Sequence, residues 1–266
     1  MTILQALVLG ILQGLAEFLP ISSSAHLALT PWFFGWPDSG LAFDVSLHLG
    51  TLIALAWYFR AEWFKLAQSG ISILRNRRVH TVEEKRLLFL IVATIPAGIA
   101  GLLVEDLAEH TFRSPGIIGV ALIIMGIVLW AADRWAPRVR SLSQMRWRDA
   151  LLVGLAQVCA LLPGVSRSGS TITGSRLLGF DRQSAAVFSF LMSMPITGAA
   201  VAVKLPDAVG EGVSAPLVVG ILAAALSSWF AIAVLLRYVS RHSYGVFALY
   251  RLIFGAVVLA VFFARN

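Results

Sequence analysis

The sequence predicts an all-α integral membrane protein with about six transmembrane helices and two re-entrant helical hairpins in an inverted-topology repeat. Composition is the first observation behind this prediction: 58% of the 266 residues are hydrophobic, 13% are charged, and the mean hydropathy is +0.83, unlike a soluble domain. The second is that several apolar stretches approach the ~20 residues needed to cross a bilayer. The third is that two further apolar stretches are broken early by proline. We therefore expect a single membrane domain over 1–266.

The apolar stretches give six predicted spans. Five of them are long enough to cross a bilayer, and a sixth, at 44–59, is shorter. The five long stretches are 87–104, 116–133, 185–203, 217–236 and 245–264.

The formal net charge of +7 is distributed in a way that predicts membrane orientation. Lysine and arginine number seven in 60–86 and five in 134–148, against one each in 105–114 and 204–216. This alternation is the positive-inside pattern. Because orientation explains the basic residues, we expect no nucleic-acid partner. The loops placed in the cytoplasm are 60–86, 134–148 and 237–242, and those placed outside are 105–114, 204–216 and the C-terminus.

Two apolar stretches, 3–19 and 149–162, are too short to be ordinary spans. The first ends at Pro20 and the second at Pro163, so each is expected to be a half-helix. The segment 1–27 either crosses the membrane or returns to the outside, since the span after it must run inward to reach the first basic loop.

The segment 149–180 is constrained more firmly. One clear span, 185–203, already joins the inner loop before this segment to the outer loop after it. The segment must therefore enter and leave on the cytoplasmic side. Its tip needs non-helical backbone, which the bilayer tolerates only where protein or a watery cavity covers it.

A shift of 144 positions aligns the two broken stretches and predicts an internal repeat. The first half is 1–135 with hairpin 1–27, and the second is 149–266 with hairpin 149–180. Each half holds one hairpin and three spans, and an odd number of spans inverts the second copy. The hairpin tips should then meet near the membrane midplane; chance similarity between apolar helices is the alternative. The matched positions are Ala6, Leu7, Gly10, Gln13, Ala16, Ser22 and Ser24 with Ala150, Leu151, Gly154, Gln157, Ala160, Ser166 and Ser168.

At the first tip, Gln13 and Glu17 are four residues apart and share a helical face. A carboxylate in this apolar setting needs a partner. A divalent metal, an arginine from elsewhere, or protonation would each provide one.

Three serines, Ser22, Ser23 and Ser24, follow the first break, close to His26. A serine at a helix start is often only an N-cap. Next to a histidine and a buried glutamate, however, a hydroxyl can become a nucleophile, and free amides at a helix start bind anions. We expect His26 to act as base, acid or nucleophile, with a packing role as the alternative.

The second tip, "PGVSRSGST", supplies an arginine. Arg167 is always charged and offers a planar fork of donors suited to phosphate, and an arginine inside the membrane is a functional candidate. A carboxylate, serines, a histidine and an arginine together predict a phosphoryl-transfer site. Donors expected around Arg167 are Gly164, Ser166, Ser168 and Thr171.

These residues resemble a known family. "GILQGLAEFLPISSSAHL" and "PGVSRSGST" are similar to the two signatures of the bacterial undecaprenyl pyrophosphate phosphatases of the bacitracin-resistance protein type. The resemblance implies a plasma-membrane enzyme that hydrolyses a C55 isoprenoid diphosphate to the monophosphate, recycles the lipid carrier for cell-wall synthesis and confers bacitracin resistance. It also implies a divalent cation, magnesium or alternatively calcium, and a site opening to the outer face. The residues it makes functional are Glu17, Ser22, Ser23, His26, Arg167 and Ser168.

The resemblance gives Glu17 the metal or proton-handling role. Position 13 is glutamine, which weakens a paired-carboxylate metal site and leaves Gln13 as a neighbour of the metal. We expect Ser23, or less favourably His26, to attack phosphorus, with Glu17 or His26 as base and Ser22, Ser24, Ser166, Ser168, Gly164 and Thr171 contacting substrate. A homodimer is one option for assembly.

Other features leave alternatives open. Asp44 and His48 are four apart near the outer mouth and are expected to contact substrate or metal, or to cap or pair internally. Arg251 is expected to support substrate or to form a structural ion pair. Inverted repeats with broken helices also build secondary transporters, so a carrier or flippase for phosphate or a prenyl-phosphate lipid is the rival function.

Overall fold

The computed structural model of the protein describes residues 1–104, 112–210 and 213–265, and these residues form α-helices without a β-sheet. Two short 3-10 turns, Leu142–Gln144 and Cys159–Leu161, flank the seventh helix. The all-α prediction is confirmed. The helices are α1 (Ile3–Phe18), α2 (Ser23–Phe34), α3 (Gly40–Tyr58), α4 (Arg60–Asn76), α5 (Val82–Leu103), α6 (Pro115–Trp135), α7 (Trp147–Val158), α8 (Arg167–Leu177), α9 (Arg182–Gly210), α10 (Ala215–Val239) and α11 (Gly245–Arg265).

Five helices are long and apolar enough to cross a membrane: α5, α6, the Arg182–Val203 part of α9, α10 and α11. They coincide with the five long stretches predicted from hydropathy. The sixth predicted span corresponds to α3, which passes the same test only together with α4, and the two are bent by 83° at the break. The number of spans is therefore five, or six if this bent pair counts as one.

The expected loop 60–86 is largely helical, which corrects its description as a loop. Residues 60–76 form α4, in which Leu66 and Ser69 are buried while most of the other side chains remain partly or fully exposed. Ser72 of α4 donates a hydrogen bond of 2.7 Å to Glu84 of α5. The seven lysines and arginines of this segment made it look like a loop, but three of them lie in α4, which packs against α5, and two lie in the first turns of α5.

A buried network ties several helix ends together on one face. Asp133, near the end of α6, accepts hydrogen bonds from Arg176 of α8, from Arg182 of α9, and from the backbone N–H of Tyr244 between α10 and α11. We call this the basic face, because it carries the basic segments of the sequence. Breaking a buried network of this kind costs about 3–5 kcal/mol of unfolding free energy.

Arg140 joins the two ends of the second hairpin on that same face. Its guanidinium donates to Asp149 at the start of α7 and to the carbonyl of Leu178 just after α8. Helices α7 and α8 therefore leave the basic face and return to it, as expected for 149–180. At ~1.5 Å per residue, neither helix is long enough to cross a bilayer.

The first hairpin opens on the opposite face. Arg265 at the end of α11 donates to the carbonyls of Trp32 and Phe33 at the end of α2, and Arg113 before α6 pairs with Asp44 in α3. The hairpin runs to Phe34, beyond the predicted boundary at residue 27, and α2 ends where Gly35 adopts φ +64°. Helix α2 ends at Phe34 because Gly35 adopts the left-handed conformation that commonly closes a helix.

Glycines allow both hairpins to pack tightly on a neighbouring span. A Cβ at Gly10 of α1 would overlap the carbonyl oxygen of Gly220 in α10, and one at Gly154 of α7 would overlap that of Ala93 in α5. Gly10 and Gly154 are matched positions of the proposed repeat. Their equivalent packing supports that repeat, which stays a prediction.

Candidate active site

The two hairpin tips have the same unusual backbone. Ser22 and Ser166 begin α2 and α8 as N-caps with φ values of 75° and 74°, a left-handed region that few non-glycine residues adopt. In each case the serine hydroxyl accepts a hydrogen bond from the backbone N–H three residues later. The serine two residues after each cap, Ser24 or Ser168, has its Oγ 3.2 Å from that of the cap. Such local strain persists where the surrounding structure enforces it.

The two tips touch each other directly. The backbone N–H of Gly164 donates to Ser22 Oγ at 3.2 Å, and Ser168 Oγ donates to the carbonyl of Leu19 at 3.2 Å. Gly164 has φ +95°, and a Cβ there would lie 2.7 Å from the carbonyl oxygen of Ile118. Gly164, Ser22 and Ser168 thus build the junction between the tips.

Arg251 of α11 fastens this junction. Its fully buried guanidinium donates from one terminal nitrogen to the carbonyl of Pro20 at 3.1 Å and from the other to the carbonyl of Gly164 at 2.6 Å. The 144-residue shift aligns Pro20 with Gly164, although the two residues differ. Arg251 was expected to support substrate or to form a structural ion pair. Within the described residues its partners are backbone carbonyls and no carboxylate pairs with it, so its observed role is to join the two tips.

Glu17 is the centre of the polar cluster where the tips meet. Its Oε1 accepts a hydrogen bond of 2.8 Å from Arg167, and its Oε2 accepts bonds from Ser23 Oγ at 2.6 Å and from Gln13 Nε2 at 3.1 Å. The carboxylate is only 6% exposed, so it needs these partners. Of the three partners considered from the sequence, the structure provides an arginine. The predicted proximity of the two tips is confirmed by this contact.

Arg167 is held from two sides. Its other terminal nitrogen donates to the carbonyl of Ser189 in α9 at 2.8 Å, while its buried Nε has no partner among the described residues. Thr171 is fully buried, and its hydroxyl contacts the carbonyl of Arg167 and the hydroxyl of Ser189. Thr171 therefore supports the backbone of Arg167. Its hydroxyl is directed to Arg167 and Ser189 and not to the Glu17 cluster.

His48 of α3, which the sequence paired with Asp44 as a contact for substrate or metal or as an internal pair, also reaches the cluster; Glu17 was not predicted as its neighbour. Its Nδ1 lies 2.9 Å from the carbonyl oxygen of Asp44, and its Nε2 lies 3.5 Å from Glu17 Oε2. Because a carbonyl can only accept, Nδ1 carries a proton and Nε2 faces the carboxylate. The Asp44 carboxylate is engaged by Ser39 and Arg113 instead. The i,i+4 spacing was visible in the sequence, but the direction of the ring was not.

His26 is placed differently from the other predicted residues. Its Nδ1 contacts the carbonyl of Ser22 at 2.7 Å, its Nε2 contacts the hydroxyl of Tyr250 at 2.6 Å, and its ring stacks on Phe254 with centroids 4.8 Å apart. Both ring nitrogens are therefore engaged by groups other than Glu17 and Ser23. Tyr250 was missed, although it stands next to Arg251 in the sequence.

Two side chains of the cluster, Glu17 and Gln13, offer oxygen atoms to a metal ion. Among the described residues no group of three or more His, Cys, Asp or Glu side chains is arranged to hold a metal ion. Gln13 Oε1, however, is buried without a partner among those residues, next to Glu17. Carboxylate and amide oxygens suit a hard cation such as magnesium, which often takes one or two carboxylates plus substrate phosphates. Gln13 and Glu17 therefore fit such an ion when a diphosphate completes its ligands.

Comparison with known proteins gives consistent similarities over the whole chain. Residues 6–257 match the family model described as bacitracin resistance protein BacA. A protein of Gemmatimonas aurantiaca named undecaprenyl-diphosphatase is 65% identical over 100% of both chains. Proteins of the same name from Pelotomaculum thermopropionicum and Moorella thermoacetica are each 48% identical, covering 100% of this chain and 99% and 100% of theirs.

Proposed function

The chain belongs to the bacitracin resistance protein BacA family, and we propose that its Glu17 cluster is where it hydrolyses undecaprenyl diphosphate. The products are undecaprenyl phosphate and inorganic phosphate. The protein is thus a membrane phosphatase that regenerates the lipid carrier, the activity that fits bacitracin resistance. The observation that carries the site assignment is the contact of Ser23, Glu17 and Arg167 between the two tips.

Ser23 and Glu17 form the reacting pair of the proposed mechanism. The 2.6 Å hydrogen bond from Ser23 Oγ to Glu17 Oε2 is within the reach of a general base. Ser23 Oγ attacks the terminal phosphorus while its proton passes to Glu17, and the bond from that phosphorus to the bridging oxygen breaks. Undecaprenyl phosphate leaves. Water then attacks the phosphoserine, inorganic phosphate is released, and Ser23 recovers its proton from Glu17.

Arg167 stabilises the charge that develops on the phosphoryl oxygens. Phosphoryl transfer depends mainly on positioning and on electrostatic stabilisation of this charge. The guanidinium is already held beside Ser23 by Glu17 and by the carbonyl of Ser189, so it need not be ordered during the reaction. Its Nε, which has no partner among the described residues, is free to donate to a phosphate.

Two histidines position this machinery. His48 Nε2 lies 3.5 Å from Glu17 Oε2, and as an imidazolium, protonated on both ring nitrogens, His48 donates to the carboxylate and keeps it oriented towards Ser23. His26 Nδ1 donates to the carbonyl of Ser22 and holds the left-handed turn that precedes the nucleophile. His26 was also considered as base or nucleophile; the Ser23–Glu17 distance favours Glu17 for the base.

A divalent cation is part of the proposal. Glu17 and Gln13 would hold it, with magnesium as the expected ion and calcium as the alternative. When bound, the cation supplies positive charge that offsets the charge of the diphosphate. The remaining polar groups at the tips, from Ser22, Ser24, Gly164, Ser166 and Ser168, are proposed to contact the substrate phosphates.

We place the protein in the bacterial plasma membrane with the site opening to the outer face. The positive-inside pattern supports this orientation, since the basic face carries most lysines and arginines while the first hairpin opens on the other side. Every group of the proposed site comes from one chain, so a homodimer is compatible with the sequence but is not needed to build the site.

The rival function is that of a carrier or flippase, because two hairpins that meet between helices also occur in transporters. Phosphate release from undecaprenyl diphosphate by the purified protein in detergent separates the two, since no gradient exists there. We expect release by the wild type and a loss of release in Glu17→Ala. Binding of the lipid without any phosphate release would overturn the proposed site chemistry and favour the carrier.

A further inference from the structure

A second polar site lies on the basic face and shares no residue with the Glu17 cluster. It is a cavity of about 100 Å³ between the first turns of α5 and the turn that precedes α7. A cavity of this size holds a few waters or one small polar group, whereas pockets for organic ligands measure about 300–1,000 Å³. Its polar lining comes from Lys85, Arg86 and Ser143, and its apolar lining includes Phe89, Leu142 and Met145.

The cationic lining of this cavity is incompletely paired. Arg86 donates from one terminal nitrogen to Glu62 at 2.9 Å, but its buried Nε has no partner among the described groups. Lys85 is exposed and forms no ion pair with a described residue. The adjacent Glu84 is occupied by Ser72 and by the backbone N–H groups at the start of α5. An unpaired buried donor beside an uncompensated charge favours an anionic ligand.

The neighbouring helix α4 places the cavity at the depth of lipid headgroups. Helix α4 turns away from α3 by 83°. Its outward side carries Phe64, Ile71 and Leu74, which are 65%, 68% and 80% exposed, and their spacing puts them on one helical face. An amphipathic helix with such a face lies in the membrane interface. Because Glu62 of α4 binds Arg86, the cavity lies beside this interfacial helix.

We propose that this cavity binds the phosphate of an anionic phospholipid headgroup from the adjacent leaflet. Lys85 and the Arg86 Nε–H contact the phosphate, and Ser143 contributes a hydroxyl. The apolar surface of α4 holds the acyl chains of the same leaflet. Neither the hydrolysis of the diphosphate nor the tips of the hairpins take part in this binding.

The test compares lipid binding by the full-length protein and three variants. Native mass spectrometry measures adducts with phosphatidylglycerol, and phosphatidylcholine serves as the zwitterionic comparison. Lys85→Gln removes the uncompensated charge, and Arg86→Lys keeps a cation for Glu62 but removes the Nε donor. Arg148→Gln is the matched control, since Arg148 is exposed near the start of α7 and does not line the cavity.

We expect Lys85→Gln to weaken phosphatidylglycerol binding about 5-fold, the effect of one basic residue near an anionic surface. Arg86→Lys should weaken it as well, and Arg148→Gln should leave it unchanged. Phosphate release in detergent should stay at the wild-type rate in all three variants, which shows that they are folded. Equal weakening by Lys85→Gln and Arg148→Gln would overturn the site. Displacement of the lipid by millimolar inorganic phosphate, without preference for phosphatidylglycerol, would overturn the lipid as the ligand.

Discussion

A guanidinium nitrogen of Arg167 lies 2.8 Å from a carboxylate oxygen of Glu17, although the two residues are 150 positions apart in the sequence. Each belongs to a different broken helix, and neither hairpin could bury its charged side chain alone at low cost. The ion pair therefore joins the halves of the chain at the place where the proposed chemistry occurs.

Substitution of Arg167 tests its role in charge stabilisation. We expect Arg167→Ala to lower the rate of phosphate release about 100- to 1,000-fold, in line with the loss of one preorganised donor group. Arg167→Lys should recover only part of this loss, because lysine is a point charge and lacks the planar fork. Steady-state phosphate release in detergent checks both. Wild-type rates in Arg167→Ala would show that the site lies elsewhere.

Ser23 is the expected nucleophile. Ser23→Ala should lower phosphate release by about 1,000-fold or more, because the covalent route is lost. Rapid acid quench followed by mass spectrometry should find phosphoserine at position 23 in the wild type. Ser46→Ala is a suitable control, since the Ser46 hydroxyl is buried and its partner among the described residues is a carbonyl within α3. Turnover in Ser23→Ala within tenfold of wild type would transfer the role to another group or to water.

His48 should act by donating a hydrogen bond. We expect His48→Leu to lower kcat about 10- to 100-fold with little change in KM, as observed for groups that orient a catalytic side chain. His48→Gln should restore most of kcat, because the glutamine amide can also donate to Glu17. Equal loss in both variants would mean that the ring itself takes part in proton transfer.

Two variants of His26 distinguish a role of Nδ1, which donates to the Ser22 carbonyl, from a role of Nε2, which contacts Tyr250. The asparagine amide in His26→Asn can replace the Nδ1 donor to the Ser22 carbonyl, whereas His26→Leu cannot. We therefore expect His26→Asn to retain at least about tenfold more activity than His26→Leu, roughly the value of one hydrogen bond to a strained turn. If both variants are equally inactive, His26 contributes through Nε2 and its partner Tyr250.

The close contact of α1 with α10 predicts a difference between two glycines. Gly10→Ala should lower the free energy of unfolding by about 1–3 kcal/mol, because the added methyl overlaps the Gly220 carbonyl. Gly198→Ala in α9 meets no described atom within 4 Å and should be neutral or stabilising by about 0.5–1 kcal/mol. Thermal unfolding in detergent measures both. A Gly10→Ala protein as stable as the wild type would contradict the tight packing.

The spans and the meeting of the tips could be predicted because they depend on patterns within the sequence. Hydropathy alone located α5, α6, α9, α10 and α11, and the charge pattern required 149–180 to return to its own side. The equivalence of Gly10 with Gly154, and of Ser22 with Ser166, follows from matched residues that have the same local surroundings.

Other features depend on which helices become neighbours, and the sequence does not encode this locally. His48 faces Glu17 only because α3 packs beside α1, and Tyr250 meets His26 only because α11 lies next to α2. The carbonyl partners of Arg251 were unforeseen for the same reason. Helix α4 was missed because polar and charged residues interrupt its apolar ones, so that no continuous apolar stretch marks the helix in the sequence.

The position of Arg251 in α11 has a consequence for biosynthesis. The ribosome makes α11 after every other described helix, yet Arg251 is the residue that fastens Pro20 to Gly164. A nascent chain that has inserted only α1 to α10 already holds Glu17, Ser23 and Arg167 but lacks the Arg251 guanidinium that reinforces the contact between their two tips. Catalytic activity should therefore arise only at the end of membrane insertion, and chains without α11 should not hydrolyse the lipid diphosphate.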